Sequence, residues 1–324
     1  MNNKRALRML FSLKWLVLVA SLVFAANGSA SIAPVNGKST TTADHSKFKA
    51  LQGPFDRAED VTAACLTCHT EAGEQIRQTT HWTWLYEHDE TGQTLGKSKV
   101  INSFCGMTIT NEPRCTSCHV GYGWNDMREP PPQAENAVDC LVCHDTTGEY
   151  WKFPTLAGHP TYIPREWPKG SGKMVQPPDL ERIARNVGDS GRANCGSCHF
   201  HGGGADGVKH GDLDTSLINP PKSLDVHMSP EGLNFGCSDC HTTMGHAVSG
   251  SRYQANARDT LGIDVPGHTD FSRASCESCH GLAPHDKPKL NDHVDKLACQ
   301  TCHIREFAKG GVATKSRSEE RRVG

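Results

Sequence analysis

Cys65-Leu66-Thr67-Cys68-His69 is a C-x-x-C-H pentad. The same arrangement returns at Cys115/Cys118/His119, Cys140/Cys143/His144, Cys195/Cys198/His199, Cys237/Cys240/His241, Cys276/Cys279/His280 and Cys299/Cys302/His303. Fourteen of the fifteen cysteines are used this way. The spacing has a chemical reason. Two thiols about one helical turn apart reach the two vinyl groups on one edge of a porphyrin, and the adjoining histidine binds iron from the proximal side. C-x-x-C-H is the attachment signal for c-type haem, so seven motifs predict seven covalently bound haem c groups. Exported cysteines also form disulfides, and paired C-x-x-C motifs also hold zinc, but neither needs a histidine after every pair. With 18 histidines in 324 residues, seven chance placements have a probability on the order of one in a billion, weighed against the haem signal.

Working outward, the composition agrees. Hydrophobic residues make up 36% and aromatics 6%, below the roughly 45–50% apolar content of globular domains, a count that includes Gly. Side chains alone are too few to build a core for this length, and porphyrins supply what is missing. The 31 Gly and 18 Pro imply many turns. The expected fold is mainly α with much irregular structure, a compact multihaem cytochrome c fold with haems forming the core and little β. Helical patterning is expected near Asp60–Gln78, with the first motif inside it, and near Pro178–Val187, where Asp179 and Glu181 suit the helix dipole. Pro130-Pro131-Pro132, Pro177-Pro178, Pro220-Pro221 and Gly202-Gly203-Gly204 break the chain, and alternating β patterns are scarce, predicting at most one small hairpin. First cysteines follow one another at 50, 25, 55, 42, 39 and 23 residues. That irregularity argues against a solenoid of equal units. The two short intervals predict haems two and three, and haems six and seven, as close neighbours.

Lys4, Arg5, Arg8 and Lys14 precede or enter the apolar run Trp15-Leu16-Val17-Leu18-Val19-Ala20, which continues to Phe24. Small residues follow, with cleavage expected after Ala26 or Ala30. This reads as a secretory signal peptide over residues 1–30, since about ten apolar residues fall short of the roughly 20 that span a bilayer. The expectation is a periplasmic protein that is not integral to the membrane. Removing the four basic leader residues takes the net charge from −2 to about −6. With 34 basic against 36 acidic residues, no basic surface argues for nucleic acid. Residues 31–315 read as one multihaem cytochrome c domain, and residues 316–324 as a non-native tail.

Each iron needs a sixth ligand. Beyond the motifs lie His45, His81, His88, His159, His201, His210, His227, His246, His268, His285 and His293. Bis-histidine ligation by neutral imidazoles gives low-spin centres suited to electron transfer, and at least five of these eleven are expected to bind iron. Only Met107, Met127, Met174, Met228 and Met244 lie beyond the leader, so methionine ligation cannot dominate. Which histidine serves which haem depends on three-dimensional packing. Two residues fit no haem-binding count. Cys105 is the odd cysteine, and Lys152 lies eight residues past the third motif's histidine. Read alone, they are a buried small apolar thiol and a lysine on a solvated surface.

Several stretches carry a resemblance: Asp44-His45-Ser46-Lys47-Phe48, Ala64-Cys65-Leu66-Thr67-Cys68-His69, His81-Trp82-Thr83-Trp84, Arg114-Cys115-Thr116-Ser117-Cys118-His119 with Gly121-Tyr122-Gly123-Trp124, and Asp139-Cys140-Leu141-Val142-Cys143-His144-Asp145-Thr146-Thr147-Gly148. Over residues 44 to 314 the chain resembles the octahaem tetrathionate reductases. In that family one haem on an ordinary C-x-x-C-H motif has its iron bound by a lysine amine and is the site of reduction. The resemblance implies that the second haem is that centre and that Lys152 is the lysine. An amine binds iron only when deprotonated, which metal coordination and burial can offset. Cys105, ten residues before the second motif, becomes a candidate sulfur-handling group, because a thiolate can exchange with a polythionate S–S bond. The family has eight haems and a longer chain, so an eighth haem is expected in the full-length protein, beyond Lys315. The tail Arg317-Ser318-Glu319-Glu320-Arg321-Arg322-Val323-Gly324 reads as a translated adapter; the alternative is a seven-haem protein with a polar tail.

The implied function is reduction of tetrathionate to thiosulfate at the second haem, with the other six as an electron wire. Arg114 could draw in the dianion. Nitrite or hydroxylamine at the same haem, and a pure electron carrier, are the alternatives. The partners expected are a small oxyanion or polythionate substrate and a periplasmic or membrane-bound donor such as another c-type cytochrome.

Overall fold

The structure is a computed structural model that describes residues 43–87, 92–96, 112–202, 206–207, 212–248, 276–294, 296–297, 299–305 and 308. Cys105, Met107, His88, His210 and His268 lie outside the described residues.

The architecture is a succession of short helices joined by loops. The first motif does not sit within one long helix. The chain forms Ala58–Leu66, turns through the motif, and starts again at Ala72–Arg77. The first helix stops at Leu66, so His69 lies in the turn between the two. Later motifs also carry short helices, at Glu112–Cys115, Leu141–His144, Arg192–His199, Cys237–Cys240, Cys276–His280 and Gln300–His303, four of which end on the motif histidine. Three of these starts are fixed by a side chain accepting a backbone N–H before the first turn: Asp60 from Arg57 at 3.0 Å, Asn194 from Gly191 at 2.8 Å and Asp239 from Gly236 at 2.6 Å. Each satisfies an orphan donor. The second expected helix covers Leu180–Arg185, with Asp179 as N-cap accepting from the Arg182 N–H at 2.9 Å.

The single expected hairpin becomes three among the described residues. Tyr86–Glu87 pairs with Thr94–Leu95, Arg165–Glu166 with Met174–Val175, and Thr243–Met244 with Ala247–Val248, all antiparallel. Strands of two residues are too short to write an alternating pattern into the sequence. The chain remains mainly helical and irregular, with little strand.

The polypeptide core is small. Leu51, Ala58, Val61, Tyr122, Leu141, Leu180, Ile183 and Ala184 pack together, and Trp82, Val120, Ala137, Val138 and Val142 form a second cluster. Both lie around the first three motifs. The stretches after motif two and before motif three pair directly: Tyr122 N–H donates to Ala137 O at 2.8 Å and Asp139 N–H to Val120 O at 2.9 Å. Motif three also meets motif four, where Asn194 Nδ2 donates to Val142 O at 3.3 Å and Asp145 O at 3.0 Å. Arg192, on the helix of motif four, ties that helix to the segment before motif five. Its guanidinium donates to Ile218 O at 3.0 Å, to Phe235 O at 2.6 Å and to Met228 O. No helix among the described residues is long and apolar enough to cross a membrane.

Candidate functional site

Two imidazoles bound trans across one metal, each about 2 Å from it with the ring centre about 1 Å behind the nitrogen, have centroids about 6 Å apart. Five distal candidates meet a motif histidine at this separation. His45 stands 6.2 Å from His69 with planes at 20°, and His285 stands 5.7 Å from His303 at 18°. His81 lies 6.3 Å from His199 at 80°, His246 lies 6.5 Å from His144 at 80°, and His227 lies 6.0 Å from His280 at 63°. The separations fit a trans ligand pair on haem iron, so these residues suit the group the motifs call for. Bound haem supplies low-spin redox centres at those positions.

Local structure presents each distal ring. His45 opens a 3-10 turn capped by Asp44, whose carboxylate accepts the Ser46 N–H at 3.1 Å and pairs with Lys47 at 2.9 Å. His81 lies on the helix Thr80–Thr83. Asp225 sets the turn at His227 by accepting its N–H at 2.9 Å. His246 is the second residue of the tight turn between the strands Thr243–Met244 and Ala247–Val248, and Nδ1 lies 2.8 Å from Gln75 Oε1. Asn291 Oδ1 accepts the His285 N–H at 2.9 Å and lies 3.1 Å from Nδ1.

The motifs touch in an order the sequence spacing does not reveal. The side chains of Cys65 and Cys140 lie next to one another, as do those of Cys118 and Cys198, and those of Cys195 and Cys237. Cys240 lies in the field of Cys279. Attachment points one, three, four, five and six form a connected series, with two beside four.

Attachment residues are exposed at several motifs, among them Cys68 and His69 of the first, Cys240 of the fifth, and Cys276 and Cys279 of the sixth. His241, the proximal histidine of motif five, and Cys302, the second thiol of motif seven, are both exposed at the polypeptide surface. His241 is also outside the five ring pairs above. Local turns fix the backbone of each: the His241 N–H donates to Cys237 O at 2.8 Å and the Cys302 N–H to Cys299 O at 3.3 Å. The two larger clusters surround motifs one to three, and the third, at Phe200, Leu217 and Ala308, adjoins motif four. The helices Cys237–Cys240 and Gln300–His303 bury no residue of their own.

The second motif is built differently. His119 is fully buried among Trp82, Trp84 and Trp124, at 4.8, 5.6 and 4.8 Å between rings. Its Nε2 lies 2.7 Å from Trp82 O. Thr116 pins the motif by donating to Trp124 O at 2.7 Å. Lys152 is not on a solvated surface: it is 8% exposed. The segment carrying it runs alongside the motif because the Ala157 and Phe153 N–H groups bond Pro113 O and His159 O at 3.1 and 2.9 Å. Its ammonium donates to the backbone oxygen of His119 and lies 3.4 Å from that of Gly121. It forms an ion pair with Asp139 Oδ2 at 3.0 Å. Gly158, at φ +92, leaves room for this approach, since a Cβ there would overlap the Gly121 carbonyl.

Asp139 is 2% exposed and fully engaged. Tyr122 donates to Oδ1 at 2.8 Å, Tyr150 to Oδ2 at 3.0 Å, and the Val142 N–H to Oδ1 at 3.1 Å. Burial, and then the Asp139 charge, push both phenols well above the usual tyrosine range, so both stay protonated. His159 stacks on Tyr122 at 5.2 Å and faces Tyr162 Oη at 3.2 Å and Glu59 at 3.5 Å. Burial holds its imidazole below the ordinary value, although Glu59 pulls the other way. The result is a buried amine held by one carboxylate, with two protonated phenols on the same carboxylate.

The other candidates lie elsewhere. His159 belongs to this polar cluster and not to one of the five ring pairs. His201 is exposed, 3.9 Å from Asp206, and His293 is exposed in the turn after Pro288–Asn291. Met174 and Met244 are exposed, and Met228 packs against Phe200 and Leu217. Arg114 donates to Ser117 Oγ at 3.1 Å, within its own motif. Asp139, Tyr150 and Gln75 carry no motif of their own in the sequence. The nearest signal is Gly121-Tyr122-Gly123-Trp124, where aromatics flanked by glycines follow a haem motif directly.

A family profile described as cytochrome c554 and c-prime matches residues 64–145. The crystal structure of an octaheme cytochrome c from Shewanella oneidensis is similar at TM-score 0.63 and 44% identity, covering 82% of this chain and 53% of that one. The chain thus spans about half the length of this relative. No curated protein matches the chain. These findings support a multihaem c-type cytochrome with covalently bound haem c.

Proposed function

We propose, from the premise of a multihaem c-type cytochrome, that this chain is an exported reductase. Electrons pass along its haems to a distinct centre at the second motif, which reduces tetrathionate. The number of haems is seven on residues 31–315, and the leader over residues 1–30 directs the chain to the periplasm, where another c-type cytochrome serves as donor. Five haems are bis-histidine centres using His45, His81, His227, His246 and His285. The observation that carries the reading is Lys152, a buried cation at the backbone of the second motif, where the five histidine pairs have no counterpart.

Two electrons cleave the central S–S bond of tetrathionate and release two thiosulfates, a balance that needs no proton. The residues' share of the work is positional. Asp139 offsets the Lys152 charge during burial, the tryptophans exclude water around His119, and the Arg114 guanidinium beside the motif favours a dianion. Cys105 is proposed as the thiol that exchanges with the polythionate. Nitrite or hydroxylamine reduction at the same haem is the second reading.

The test is Lys152→Ala beside Lys152→Arg, which keeps the charge facing Asp139 but cannot present a neutral amine. The expected outcome is loss of tetrathionate-driven oxidation of the reduced protein in both, with the other haem spectra intact. Unchanged rates with both tetrathionate and nitrite would leave a pure electron carrier.

A further inference from the structure

We propose that Gln75 is a positioning residue for the third haem, holding His246 through its Nδ1 proton and lowering the reduction potential of that one centre. The inference rests on reading His144 and His246 as an axial pair. His246 sits in a turn where both residues have left-handed backbone, Gly245 at φ +53 and His246 at φ +65. A two-residue hairpin turn takes this backbone at both central positions, which fixes where the ring leaves the chain. Gln75 fixes how the ring is held. Its Oε1 lies 2.8 Å from His246 Nδ1, and its side chain packs beneath Gly245, whose Cβ would stand 3.8 Å from Gln75 Cδ. On the other ligand, His144 Nδ1 lies 2.8 Å from Gly188 O.

Both acceptors are carbonyl-type oxygens and can only accept. Both Nδ1 atoms therefore carry protons, which leaves both Nε2 lone pairs for iron. A hydrogen-bonded Nδ1–H makes an imidazole the stronger base. A more basic pair favours ferric over ferrous iron and so lowers the potential. Gln75 belongs to the helix Ala72–Arg77, directly after the first motif. His246 lies in the field of His69 as well as of His144. The segment that holds haem one thus sets the potential of haem three, the next attachment point in the connected series.

The experiment is a spectropotentiometric titration of the holoprotein with Gln75→Leu, Gln75→Glu and His246→Ala, each checked for full haem content. In Gln75→Leu one haem should gain about tenfold in its ferrous-to-ferric ratio at fixed potential, an upward shift of 59 mV for one electron, and stay low-spin. In Gln75→Glu the same haem should shift downward. His246→Ala should turn one low-spin haem high-spin. If His246→Ala leaves every haem low-spin, the axial pairing is wrong and the proposal falls with it. If it does change one haem, but the two Gln75 variants move no potential or move it in the same direction, the tuning role is overturned while the pairing stands.

Discussion

Lys152 and Asp139 are each buried with the charge that makes the other tolerable. Removing one partner of such a pair leaves an uncompensated ion and costs about 3–5 kcal/mol. Asp139→Ala is expected to lower stability by that amount, because it also strands the hydroxyls of Tyr122 and Tyr150. Tyr122→Phe, which removes one hydrogen bond and keeps the ring against His159, should cost about 1 kcal/mol. Denaturant midpoints of the two holoproteins check the ranking, and equal midpoints would contradict it. At this scale the C-x-x-C-H pentads are legible in the sequence, because thioether chemistry would confine cysteines and histidine to five consecutive residues. Their surroundings are not, since the same pentad leaves His119 buried and His241 and Cys302 exposed. The lysine's setting is equally hidden. Asp139 stands directly before Cys140, but that a carboxylate turns inward to meet an amine and two phenols follows only from packing.

The helices and turns decide how each ring is aimed, and this divides the histidine pairs into two groups. The His45–His69 and His285–His303 planes are nearly parallel, at 20° and 18°. The His81–His199, His144–His246 and His227–His280 planes are steeply crossed, at 80°, 80° and 63°. Ligand orientation sets how the iron d orbitals split, so the ferric protein should show two families of low-spin electron paramagnetic resonance signals, rhombic for parallel planes and strongly anisotropic for crossed ones. His45→Ala should remove one signal of the first family and His81→Ala one of the second. A single family of signals would contradict these pairings. Such aiming is invisible in sequence because each distal ring comes from a remote segment. The turn that delivers His246 spans strands of two residues, below what any alternating pattern can mark. The helix Leu180–Arg185 was legible, since its start depends on one local capping aspartate.

At the scale of the molecule, the small clusters around Leu141, Trp82 and Phe200 are what the side chains of the described residues bury. Low apolar content and seven attachment motifs together point to prosthetic groups filling the remainder. The overall class was therefore readable from composition. The connectivity was not: close sequence spacing of motifs two and three says nothing of motif three's contacts with motifs one and four, which join segments far apart in the chain. The relative from Shewanella oneidensis is an octaheme cytochrome c of which this chain spans 53%. The most direct test is the intact mass of the mature chain produced with a cytochrome c maturation system. The account predicts the polypeptide plus seven covalent haems, with none of the fourteen motif thiols open to alkylation. A smaller haem complement, or motif thiols that still react, would contradict it.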